Sequence, residues 1–116
     1  GVDKDLKAAA QWYRKAAEKG HFRAQNNLGR MYLEGRGVKR DYQKAMAWFG
    51  KASKGYRYGH FNLGRMYEYG WGVPKDERKA DEHFRKFGDY EKEFRKWAKK
   101  GNKEAQQMMK KRGLKW

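Results

Sequence analysis

The sequence predicts an all-α fold of stacked helical repeats, and three observations carry that reading. Leu28, Gly29, Tyr32, Gly35, Gly37, Val38, Asp41, Lys44, Ala45, Phe49 and Lys51 return 35 positions later as Leu63, Gly64, Tyr67, Gly70, Gly72, Val73, Asp76, Lys79, Ala80, Phe84 and Lys86. A period of this length marks supersecondary units that stack on their own copies. Within each unit the apolar residues recur at helical spacing, with glycine or aspartate at each expected helix end. Only 38% of the residues are hydrophobic, few for one central core but enough where each repeat buries one face against its neighbour.

In chain order, Gly1 and Val2 align with Gly37 and Val38, so the chain is expected to open inside an inter-helix loop, as a piece of a longer array or an engineered one. A partial repeat over 1–20 then contributes one helix, with Asp5 as its expected N-cap and Ala9, Trp12 and Ala16 on its inward face. The repeat over 21–55 begins with a helix at about 22–33 that points Ala24, Leu28 and Tyr32 inward. Asp41 caps its second helix, where Ala45, Trp48, Phe49 and Ala52 alternate small with large. Gly29 is expected to let the two helices approach closely, and Gly55 arrives one residue earlier than the first repeat predicts. The repeat over 56–88 starts with a helix at about 57–69 bearing Gly59, Leu63 and Tyr67 inward. Gly59 stands where the earlier repeat has alanine, an expected weakening of about 1 kcal/mol on helix propensity. Pro74 precedes the cap Asp76. The register breaks at Gly88, and divergent capping helices are expected over 89–116. There Tyr90, Phe94 and Trp97 form a stripe read as core, and residues 98–109 echo 17–28 at an offset of 81, predicting one last first-type helix.

The run AxxxLGxxYxxGxGVxxDxxKAxxWFxKAxxG over Ala24–Gly55 resembles the Sel1-like repeat, a relative of the tetratricopeptide repeat. The likeness is close there, good over Gly59–Lys86, partial before Ala24 and loose after Asp89. It implies an α-solenoid of antiparallel helix pairs wound into a right-handed superhelix. It also implies a non-enzymatic scaffold or adaptor for other proteins. Some secreted members of the family staple each repeat with a disulfide; this chain has no cysteine.

The residues offer no catalytic constellation. His21, His60 and His83 lack metal-ligand spacing, and no serine stands in a nucleophile elbow. The glycines track helix ends and close packing, and GRGVKRD lacks the lysine–hydroxyl pair of a phosphate loop. Asp76 with Glu77, and Asp81 with Glu82, point about 100° apart on a helix and make poor acid–base pairs. No cofactor, metal or small-molecule substrate is expected. No apolar run is long enough to span a bilayer. The net charge of +16 does point to an anionic partner, and residues 85–116 are its most basic stretch.

The first helices of tetratricopeptide repeats line a concave surface. By that resemblance the groove-facing positions are Arg23, Asn26 and Arg30, then Tyr58, Phe61 and Arg65, then Glu104, Gln107 and Lys111. Arg30 and Arg65 hold the same place in successive repeats, a ladder suited to bidentate binding of carboxylate or phosphate. Two functions follow as expectations. One is a scaffold whose basic groove holds an acidic or carboxylate-bearing segment of another protein. The alternative is RNA binding, or a structural place in a larger complex, through the basic surface.

Overall fold

The structure, a computed structural model, describes residues 2–116, with side chains from Lys4 onward; Gly1 lies outside the described residues. These residues form seven helices and no strand: α1 (Val2–Glu18), α2 (Phe22–Glu34), α3 (Tyr42–Ala52), α4 (Arg57–Tyr69), α5 (Glu77–Phe87), α6 (Tyr90–Lys99) and α7 (Lys103–Lys111). Each helix packs chiefly on its neighbour in sequence, and α5 meets α6 only briefly. The result is an α-solenoid of helix pairs. Its extents of 42 × 30 × 25 Å and radius of gyration of 14.8 Å exceed the roughly 13–13.5 Å of a compact chain this long.

Side-chain caps start the helices where the sequence places them. The carboxylates of Asp41, Asp76 and Asp89 accept from the backbone N–H of Lys44, Lys79 and Lys92 at 3.0, 3.0 and 3.2 Å. Asn102 does the same for Ala105 at 2.9 Å. Helices α2 and α4 end on Gly35 and Gly70 in the left-handed region, at φ 67° and 71°, where a side chain would be strained. The echo at offset 81 is also structural. Gln25 donates to the carbonyl of Ala17 at 3.1 Å, and Gln106 to that of Ala98 at 2.9 Å.

The core divides into two clusters that share α4. One gathers Leu28, Tyr32, Ala45 and Phe49 with Leu63 and Met66 of α4. The other gathers Phe84, Phe94, Met108 and Met109, against which Phe61, Tyr67 and Tyr69 of α4 pack. Phe94 is fully buried with Tyr90 and Trp97 beside it, so the aromatic stripe of α6 is core.

Four expectations are corrected. Val2 is already helical, and Asp5 lies a turn inside α1 and caps nothing, because Val2–Lys7 holds neither glycine nor proline to halt the helix. Trp12 is 75% exposed. Helix α1 packs on α2 through Tyr13, Ala16 and Ala17, whereas α3 is flanked by both α2 and α4, which half-bury the equivalent Trp48. Gly59 is not a weakened alanine position: a Cβ there would sit 2.5 Å from the backbone nitrogen of Ser53 and 2.9 Å from the Phe49 carbonyl oxygen. One residue fewer separates Ala52 from Leu63 than separates Ala16 from Leu28, and α4 passes the end of α3 too closely for a methyl. Gly29 behaves as expected, its missing Cβ leaving room for the Phe49 ring 2.7 Å from where that atom would be.

Candidate functional site

An open cavity of about 430 Å³ lies between α2, α4 and the start of α7. Asn26 and Arg30 come from α2, Tyr58, Phe61 and Arg65 from α4, and Glu104 from α7, so six of the nine residues expected to face the groove meet in one place. They do so because one first-type helix succeeds another at a constant angular position in the repeat. Arg23 stays outside the lining and lies over the ring of Tyr56, at 5.4 Å, on the cavity's edge. Gln107 is exposed and does not line the cavity. Lys111 reaches away, with Nζ 3.3 Å from Glu68 and 3.9 Å from Glu77.

A polar relay runs along the cavity wall. Asn62 Nδ2 donates to Asn26 Oδ1 at 2.9 Å, with both residues buried, and Arg65 Nη1 donates to Asn62 Oδ1 at 3.3 Å. Arg65 Nε then donates to Glu104 Oε2 at 3.1 Å, which also accepts from the Tyr69 hydroxyl at 2.8 Å. Burial, together with the hydrogen bond and charge of Glu104, raises the Tyr69 pKa well above that of an ordinary phenol, so it remains a donor.

The two ladder arginines are therefore unequal. Arg65 is largely covered and held by Glu104, while Arg30 is 54% exposed and makes only a long contact, 3.8 Å, to Glu34. An exposed pair of that length contributes little and yields readily to a ligand. Aromatic edges complete the wall: Tyr58 meets Phe61 edge-on at 6.2 Å, and Phe61 meets Trp97 at 5.4 Å. Sequence reasoning missed Asn62 and Trp97 as wall residues. The signal for Asn62 was present, since an asparagine precedes the core leucine in both Asn27-Leu28-Gly29 and Asn62-Leu63-Gly64.

Other titratable groups serve packing. Arg112, 6% exposed, donates to Glu68 at 2.6 Å and to Asp81 at 2.8 Å, clasping α7 to α4 and α5. Burial alone would raise the Glu68 carboxyl; hydrogen bonding and charge from Arg112, with Lys111, hold it below the usual range. His60 and His83 face each other, Nδ1 to Nδ1, at 3.2 Å, and His83 stacks on Tyr67. Burial lowers both pKa values, aided by the charge of Lys86 on each and of His60 on His83. Among the described residues no group of three or more His, Cys, Asp or Glu could hold a metal ion, and no helix is long and apolar enough to cross a membrane.

Stacked helix pairs with a groove on the first-helix side define a helical-repeat α-solenoid, a class whose members typically serve as protein-interaction scaffolds. The chain belongs to the Sel1-repeat family: the Sel1 repeat model matches residues 1–21, 22–55 and 57–89. Among solved structures, it is similar to a Sel1 repeat protein from Oxalobacter formigenes, with TM-score 0.69 and 30% identity over 73% of this chain. It is also similar to c5321, a protective antigen of uropathogenic Escherichia coli strains displaying an SLR fold, with TM-score 0.67 and 38% identity over 90% of this chain. It spans 25% and 21% of those two proteins. No curated protein matches the sequence.

Proposed function

We propose that this chain is a non-enzymatic scaffold whose concave groove holds an extended, carboxylate-bearing segment of a partner protein. The observation that carries the reading is the half-exposed Arg30 guanidinium beside an amide-rich wall and an aromatic edge in one cavity of about 430 Å³. Arg30 supplies the charge-assisted bond to the carboxylate. Asn26 and Asn27 offer amides to the partner's backbone, and Tyr58, Phe61 and Trp97 offer apolar area. Arg65 contributes position more than free charge, because Glu104 already neutralises it.

The test is fluorescence anisotropy with a labelled acidic peptide. Arg30→Glu is expected to weaken binding at least tenfold with helicity unchanged, because the side chain is exposed and attraction becomes repulsion. Binding of that variant at the wild-type level would remove the groove from this account. A second reading, RNA binding, has the net charge of +16 in its favour. It predicts instead that affinity falls steeply with salt and that neutralising Lys99, Lys100 and Lys110 matters at least as much as changing Arg30.

A further inference from the structure

We infer a second site, for a small multiply charged phosphate anion, in the cavity of about 440 Å³ at the end of α2 and the start of α3. It shares no residue with the groove. Arg14, Lys39, Arg40 and Lys44 converge on it, and the sole carboxylate in its wall is Asp41. That carboxylate is already engaged as the cap of α3. Among the described residues none of the four cations has a carboxylate within 4.0 Å, in contrast with Arg30, Arg36, Arg65, Lys111 and Arg112. Four cations against one carboxylate leave the wall net positive, and an anion relieves the repulsion among them.

Two of the cations are also held in place. Arg14 Nη2 donates to the Tyr32 hydroxyl at 2.6 Å, and the Lys44 ammonium lies 5.4 Å over the Tyr32 ring. A guanidinium fixed in this way binds a phosphate bidentately with less loss of side-chain freedom.

The next repeat separates what the fold needs from what it does not. Tyr67, Asp76 and Lys79 recur in the places of Tyr32, Asp41 and Lys44, with Lys79 over the Tyr67 ring at 5.5 Å. Gly50 and Pro74 stand in the places of Arg14 and Lys39. The repeat folds without those two cations, so their presence in the earlier one is not a packing requirement. The geometry and the charge together point to a ligand with two phosphate groups rather than one, since four cations face one cavity.

The experiment is titration of the intact chain with inorganic pyrophosphate, read by calorimetry and by the rise in melting temperature. Arg14→Gln and Lys39→Gln are each expected to weaken binding by about tenfold, the loss of one charge-assisted contact. A charge-matched control, Lys99→Gln, is expected to leave it unchanged. Because Arg14→Gln also removes the bond to Tyr32, a gain-of-function variant keeps the idea testable. Gly50→Arg with Pro74→Lys rebuilds the set in the second repeat, and Gly50 has nothing within 4 Å of an added Cβ. Stoichiometry is expected to rise from one pyrophosphate to two. The inference is overturned if pyrophosphate does not bind, if the control weakens binding as much as Arg14→Gln does, or if only single-stranded RNA binds and pyrophosphate fails to compete with it.

Discussion

Glu68 occupies the place of Leu33 in the preceding repeat, and the side chain that replaces an aliphatic contact there is a buried carboxylate on Arg112. Removing one partner of such a pair leaves the other charge buried. Glu68→Ala is therefore expected to cost about 3–5 kcal/mol in urea unfolding, whereas Glu68→Leu with Arg112→Met should lie much closer to the parent protein. The histidine pair sets a pH dependence at the same scale. His60 and His83 have folded pKa values below the ordinary 6.5, so the unfolded chain binds protons first as pH falls. Their contribution is present above pH 6.5 and is lost as pH falls through the lowered folded values. Melting temperature should decline between pH 7 and 5, and His60→Gln with His83→Gln should flatten that decline; an unchanged slope would assign it to other groups. Neither contact was legible in the sequence. Arg112 finds Glu68 across 44 positions, and the choice among thirty basic residues is made by tertiary geometry.

Helices, by contrast, were legible nearly to the residue. Helix α4 runs over Arg57–Tyr69 as its spacing predicts, and Asp41 and Asp76 cap as expected, because caps and left-handed glycines answer local requirements that recur with the repeat. The inward face of α1 was misread at Trp12 because burial there depends on which helices flank it, and local spacing does not encode that. Arg30, Tyr58, Phe61 and Arg65 line one cavity at the positions the tetratricopeptide resemblance implies, while the hold of Glu104 on Arg65 needed the packing of α7. Leu28 is fully buried between helices, so Leu28→Ala is expected to cost about 2–5 kcal/mol. A melting temperature equal to that of the parent would show that α2 does not use this face as core.

The chain as a whole is elongated and carries a net charge of +16. Charges of one sign spread over a thin body oppose the folded state, and salt screens them over about 10 Å at 0.1 M. Raising sodium chloride from 0.02 to 0.3 M is expected to raise the melting temperature, since the Arg112 clasp is buried and screened far less than the surface. A fall would mean that surface ion pairs outweigh the repulsion. Helix α4 serves both core clusters, so unfolding that begins at either end is expected to halt or become global at α4.

The tight meeting of Gly59 with the backbone of Ser53 also couples the length of the repeat to the residue at one position. An aligned span one residue shorter than that of the preceding repeat and a residue without a methyl suit each other better than either suits the preceding repeat's counterpart. Gly59→Ala alone should destabilise by about 1–3 kcal/mol through overpacking, despite the gain in helix propensity. With one residue inserted after Gly55, the same substitution should become neutral or favourable. At the present span between the helices a single change to alanine is not accommodated at position 59; the span and the residue have to change together.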